Sequence, residues 1–198
     1  MQVRKTGLAL GIVLSLLAGC TTTGGGHFTT TQPGRDTAGI ASEKREIDSA
    51  YDRTLARLYG NVRGSQELVA KAKGVLVFPS VIAAGLVVGA EYGRGALRME
   101  GQPAGYYQTV SGSFGWQIGA QSKAVIFLFM TQDALGKFRS GSGWTVGADA
   151  SVALLNIGAN GEIDLNTATQ PVIGFVLTNA GLMANLTLEG TRITRLDM

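Results

Sequence analysis

Few residues in this 198-residue chain are of a type that does covalent or acid–base chemistry, and their spacing argues against it. The single cysteine, Cys20, and the single histidine, His27, both precede the first strongly patterned segment. The patterned part therefore has neither a Ser–His nor a Cys–His pair to activate a nucleophile. Ser111, Ser113, Ser140 and Ser142 sit beside glycines, but none completes a G-x-S-x-G turn. Glu91 and Asp149 fall in Gly-rich strand-like runs, where an ion pair or an edge position explains a carboxylate better than a general acid does. Gly93-Arg94-Gly95 lacks the third glycine of a dinucleotide loop and opens no helix. The remaining carboxylates are dispersed and do not have the spacing of metal ligands. The sequence predicts a chain without catalytic residues, cofactor or metal.

Cys20 has a different chemistry. Met1 to Lys5 is a short positive segment, and Gly7 to Ala18 is apolar but too short to span a membrane as a helix. It ends in Leu17-Ala18-Gly19-Cys20, which looks like a lipobox: small residues admit a peptidase, and the thiol accepts a diacylglyceryl group. The expectation is a signal peptide over 1–19 and a lipidated Cys20, with a flexible Thr/Gly-rich tether over 20–39 that includes His27. Two or more acyl chains anchor stably where one does not. Lipidation would also consume the only thiol. Thr21, where an aspartate would favour inner-membrane retention by analogy with other lipoproteins, points to the periplasmic face of the outer membrane.

Arg4 and Lys5 leave with such a leader, so 15 Lys+Arg remain against 14 Asp+Glu, a balance of +1. That excludes the broad basic surface of a nucleic-acid binder. Glycine is abundant, at 29 residues, yet the chain is 45% hydrophobic, so the glycines belong to a folded apolar pattern rather than a disordered tract.

Ile40, Ile47, Tyr51, Leu55, Leu58 and Val62 make one apolar stripe and predict a helix over 40–62. Its charged remainder fits a helix packed on a core with a solvated face, or one lying on a membrane surface. A second helix is expected from Ser65, as N-cap, to Lys73, stopped by Gly74. Strand-like runs follow at 75–78, ended by Pro79, then 85–92, 95–99, 106–110, 114–120, 124–130, 144–154, 172–178, 182–189 and 191–196. Thr131 is placed to cap a helical turn carrying Leu135 and Phe138. Residues 155–171 read as a loop with a short strand near Ile163.

Gly85, Gly89 and Gly93 are spaced by four, as are Gly115 and Gly119, and Gly143 and Gly147. On a strand this places each set on one face, where another backbone or a large aromatic can approach. Tyr92, Phe114, Trp116 and Trp144 are the aromatics beside them.

Over 69–155 the chain resembles the SYLF domain family. The stretches that carry the resemblance are Lys71-Ala-Lys-Gly-Val-Leu-Val-Phe-Pro79, the spaced Gly85, Gly89, Gly93 and Gly95, Ser111 to Gln121, Val125 to Met130, and Trp144 to Ala153. The domain is drawn as 40–198. The resemblance implies non-catalytic phospholipid binding. Some eukaryotic relatives also bind actin, and the lipid anchor, the lack of an appended SH3 domain and the periplasmic address argue against that role here. A structural envelope protein with an unknown protein partner is the alternative. Lys71 and Lys73 are the first headgroup candidates, although they also read as solvated helix ends. Arg94 and Arg98, on one face of a strand, are the second. The expected fold is α+β and mainly antiparallel β: a curved sheet, sandwich or open barrel with one or two N-terminal helices.

Overall fold

The computed structural model describes residues 37–85, 88–114, 122–155, 169–179, 181–183 and 187–198. The predicted leader, Cys20, most of the tether, Gly115, Trp116, Gly119 and the centre of the 155–171 loop lie outside the described residues.

The chain begins with α1 (Thr37–Asn61) and α2 (Ser65–Lys71). Four long strands follow: β1 (Gly74–Gly85), β2 (Val88–Met99), β3 (Gln102–Phe114) and β4 (Ser122–Phe129). After α3 (Gln132–Ser140) come β5 (Trp144–Thr145), β6 (Ala153–Leu154), β7 (Val172–Thr178), β8 (Gly181–Leu182) and β9 (Arg192–Leu196). Among the described residues these strands form one sheet in the order β5-β9-β3-β2-β1-β4-β7-β6, with β8 beside β7. All the pairings are antiparallel except β6 with β7. The sheet is a strongly curled half-barrel, the open-barrel form of the expected α+β fold.

The centre of the sheet is buried on both faces, which explains the unbroken apolar runs. On one face Leu76, Phe78, Leu97, Phe127 and Phe129 meet Leu135 and Phe138 of α3. On the other, Val75, Val77, Ala96, Ile126 and Phe175 meet Ile47, Tyr51 and Leu58 of α1. Trp144 of β5 lies 5.9 Å from the ring of Phe127 on β4, although four strands separate β5 from β4 in the sheet. Only a curled sheet allows that contact, so the aromatic face is the inside of the curl. Phe129, Phe138 and Tyr107 complete the cluster.

α1 is the predicted helix, and its apolar stripe packs on β1 and β2. The end of α1 departs from expectation. Gly64, at φ 79°, makes the left-handed turn into α2. Ser65 does not cap the new helix; its buried hydroxyl donates back to the carbonyl of Val62 at 2.7 Å. α3 forms as read, with the Thr131 side chain accepting from the N–H of Ala134.

Pro79 does not end the first strand. One extra residue at Phe78-Pro79 bulges β1 against both neighbours, so the missing N–H of Pro79 falls where the ladder is already interrupted. Gly95 lies opposite the bulge, and a Cβ there would sit 2.1 Å from the Val77 carbonyl oxygen. The runs 85–92 and 95–99 are therefore one strand whose glycines admit the bulge. β2 and β3 join through a two-residue turn, Glu100-Gly101, with both φ positive as such hairpins require.

Two further expectations are corrected. Residues 144–154 are not one strand: β5 ends at Thr145, and a turn over 147–149 intervenes before β6. Gly147 serves that turn with φ 87°, rather than leaving space on a strand face with Gly143. Of the run 182–189, the described residues place Leu182 in the short β8 and a turn at Glu189-Gly190, with 184–186 outside the described residues.

Candidate functional site

The carboxylates singled out in the sequence are occupied. Glu91 accepts from Lys123 Nζ at 2.9 Å and from the Ser111 hydroxyl at 3.1 Å. Asp149 accepts from the backbone N–H of Thr145 at 2.6 Å, closing the turn after β5.

The basic candidates divide into two situations. Lys71 ends α2 and Lys73 precedes β1; both are exposed, and neither makes an ion pair among the described residues. The backbone N–H of Lys73 bonds the Phe129 carbonyl at 2.8 Å, which fixes its position beside the sheet. Arg94 and Arg98 share one face of β2 as expected, but that face carries α1. Arg94 pairs with Glu43 of α1 and donates from Nε to the Tyr92 hydroxyl at 2.8 Å.

Arg98 is held more deeply. It donates to Asp52 Oδ1 at 2.5 Å, lies within ion-pair distance of Asp48 at 3.6 Å, and stacks 4.1 Å from the Tyr51 ring centroid. Burial works against its charge, but the hydrogen bond and proximity to Asp52 outweigh it, and its pKa rises. Tyr106 donates to Asp48 Oδ2 at 2.8 Å; burial, then that bond, push its pKa up to about 12. Burial likewise raises Tyr51. Arg98 thus fastens helix to sheet, and sequence spacing could not distinguish that role from headgroup contact.

α1 covers only part of its face of the sheet. Beyond it, Ile82, Tyr92 and Val110 are directly opposed across β1, β2 and β3, with Ser122 and Arg192 continuing the row on either side. The three apolar residues are 49%, 42% and 44% exposed, in a molecule whose other large apolar side chains on these strands are mostly buried. Beside the row is an open groove of about 440 Å³ between α1 and the β1–β2 hairpin. Glu43, Glu46, Ile47 and Ala50, one stripe of α1 at steps of three and four, form one wall. Ile82, Tyr92 and Arg94 line the other. A second hollow, of about 330 Å³, lies against Tyr51, Tyr59, Arg98 and Glu100, beside the end of α2.

Sequence reading noticed Tyr92 only as a neighbour of glycines and missed Ile82 and Val110. Tyr92 and Arg94 alternate on β2, and Ser80 and Ile82 do so on β1; that alternation is visible only once the bulge at Pro79 is recognised.

The described residues thus form an α+β half-barrel in which one apolar row on the α1 face is left uncovered. Residues 110–197 match the model of the Ysc84 (SYLF) family, described as "Las17-binding protein actin regulator". The chain is also similar to SH3 domain-containing YSC84-like protein 1 of Xenopus laevis, Rattus norvegicus and Mus musculus. Each is 28% identical over 130 residues, which is 63% of this chain and 38% of the relative. The chain thus matches well under half the length of these relatives, and the matched stretch is SYLF-like in sequence.

Proposed function

We propose that this chain is a non-catalytic phospholipid-binding lipoprotein, anchored by acyl chains on Cys20 at the periplasmic face of the outer membrane. The observation that carries the binding is the exposed row Ile82, Tyr92 and Val110. Apolar side chains opposed across three strands form a patch rather than scattered exposure, and such patches mark contact surfaces. A Tyr within it has an apolar ring and a polar tip suited to a lipid interface. No helix among the described residues is long and apolar enough to cross a membrane.

Residues 35–198 form one compact unit that contains both cores, and this piece tests the domain apart from its anchor. It should co-sediment with phospholipid vesicles, and Ile82→Asp with Val110→Asp should abolish that while leaving circular dichroism unchanged. Failure of the unaltered domain to sediment with vesicles of any composition would refute the lipid reading.

A protein partner is the second reading, and the family description favours it, since it names Las17 binding and actin regulation. Co-sedimentation with actin filaments, but not with vesicles, would favour that reading instead.

A further inference from the structure

We infer that the groove between α1 and the β1–β2 hairpin takes a zwitterionic phospholipid headgroup, with its ammonium end against Glu46. This deepens the proposed function and rests on it. The groove has two carboxylates, Glu43 and Glu46, against one cation, Arg94. Glu43 is matched by Arg94. Glu46 is exposed and makes no ion pair among the described residues. The surplus charge in the groove is therefore negative, and an anionic headgroup would meet a cation already neutralised and a carboxylate that repels it.

A ligand with both signs fits better. Its ammonium can pair with Glu46 and approach the ring of Tyr92, a face suited to cations, over which Arg94 already lies at 5.8 Å. Its phosphate can share Arg94, whose side chain is 41% exposed. Its acyl portion has an apolar path along Ile47, Ala50 and Ile82, continuous with the exposed row. Neither a purely apolar ligand nor a purely anionic one uses all three features.

The test compares residues 35–198 on neutral phosphatidylethanolamine/phosphatidylcholine vesicles and on phosphatidylglycerol vesicles. The neutral vesicles should bind at least as well as the anionic ones. Glu46→Lys, at an exposed position, should weaken binding to neutral vesicles several-fold, because an exposed ammonium–carboxylate pair is lost and a like-charge contact replaces it, and should leave or strengthen binding to phosphatidylglycerol. Glu46→Gln should fall between. If phosphatidylglycerol alone is bound, or Glu46→Lys strengthens both, the headgroup inference is wrong while lipid binding stands. If restoring residues 21–34 abolishes binding to neutral vesicles, the groove belongs to the chain's own tether and the inference is likewise overturned. If no vesicle is bound, the lipid reading itself fails.

Discussion

Arg98 is where helix α1 is most strongly tied to the sheet, and replacing it with alanine tests that reading. Three losses follow. The Arg98–Asp52 pair goes, but Asp52 is 63% exposed, so its share is only about 0.5 kcal/mol. The stacking of the guanidinium on buried Tyr51 goes, worth about 1 kcal/mol at such a half-buried site. Asp48 is left with one oxygen buried and unbonded and no nearby guanidinium, a cost of about 1–2 kcal/mol. The cluster is not ideal to begin with, because Arg98 Nε is also buried without a partner. The sum is about 3 kcal/mol, which for a domain of this size lowers the melting temperature by about 6–12 °C.

The sharper measurement is a double-mutant cycle. If the stranded Asp48 carboxylate carries much of the loss, Asp48→Asn in the Arg98→Ala background should restore part of the stability. In the wild-type background the same change should destabilise. Thermal melts of the four proteins decide the matter. A shift below about 3 °C for Arg98→Ala, or strictly additive losses, would refute the view that this cluster holds α1 in place.

Other outcomes are open to direct measurement. Gly95→Ala should destabilise by about 1–3 kcal/mol, because its Cβ would meet the Val77 carbonyl at 2.1 Å; Gly112→Ala, with nothing within 4 Å, should be neutral or slightly stabilising in the same melts. Stability should fall as pH rises from 10 towards 12, since an unfolded tyrosine ionises near 10 whereas Tyr106 stays neutral to about 12; Tyr106→Phe should flatten that slope in alkaline denaturant titrations. Cys20→Ser should abolish incorporation of a labelled fatty acid into the expressed chain, and retention of label would overturn the proposed anchor.

Much of the architecture was legible because its signals are local. The stripe from Ile47 to Val62 has a helical period whatever lies beneath it, and Thr131 caps α3 through a contact three residues away. β4 and β7 could be read as buried runs because both of their faces are covered, so no alternation was needed to find them. What failed depended on pairing. Pro79 reads as a strand breaker until β2 and β4 show the extra residue beside it to be a bulge. Gly147 reads as a face-clearing strand glycine until its positive φ places it in a turn.

The candidate site was hidden for the same reason. Ile82, Tyr92 and Val110 are ten and eighteen residues apart in sequence, and each taken alone is an ordinary strand residue. Their meaning comes from register: the bulge after Val77 shifts β1 by one residue, and that shift puts Ile82 on the same face as α1. Without it Ile82 would point into the curl with Phe127, and the row would lose its edge at β1. The bulge that Gly95 accommodates therefore also positions the apolar patch. A substitution that removed the bulge should damage vesicle binding even in a domain that still folds.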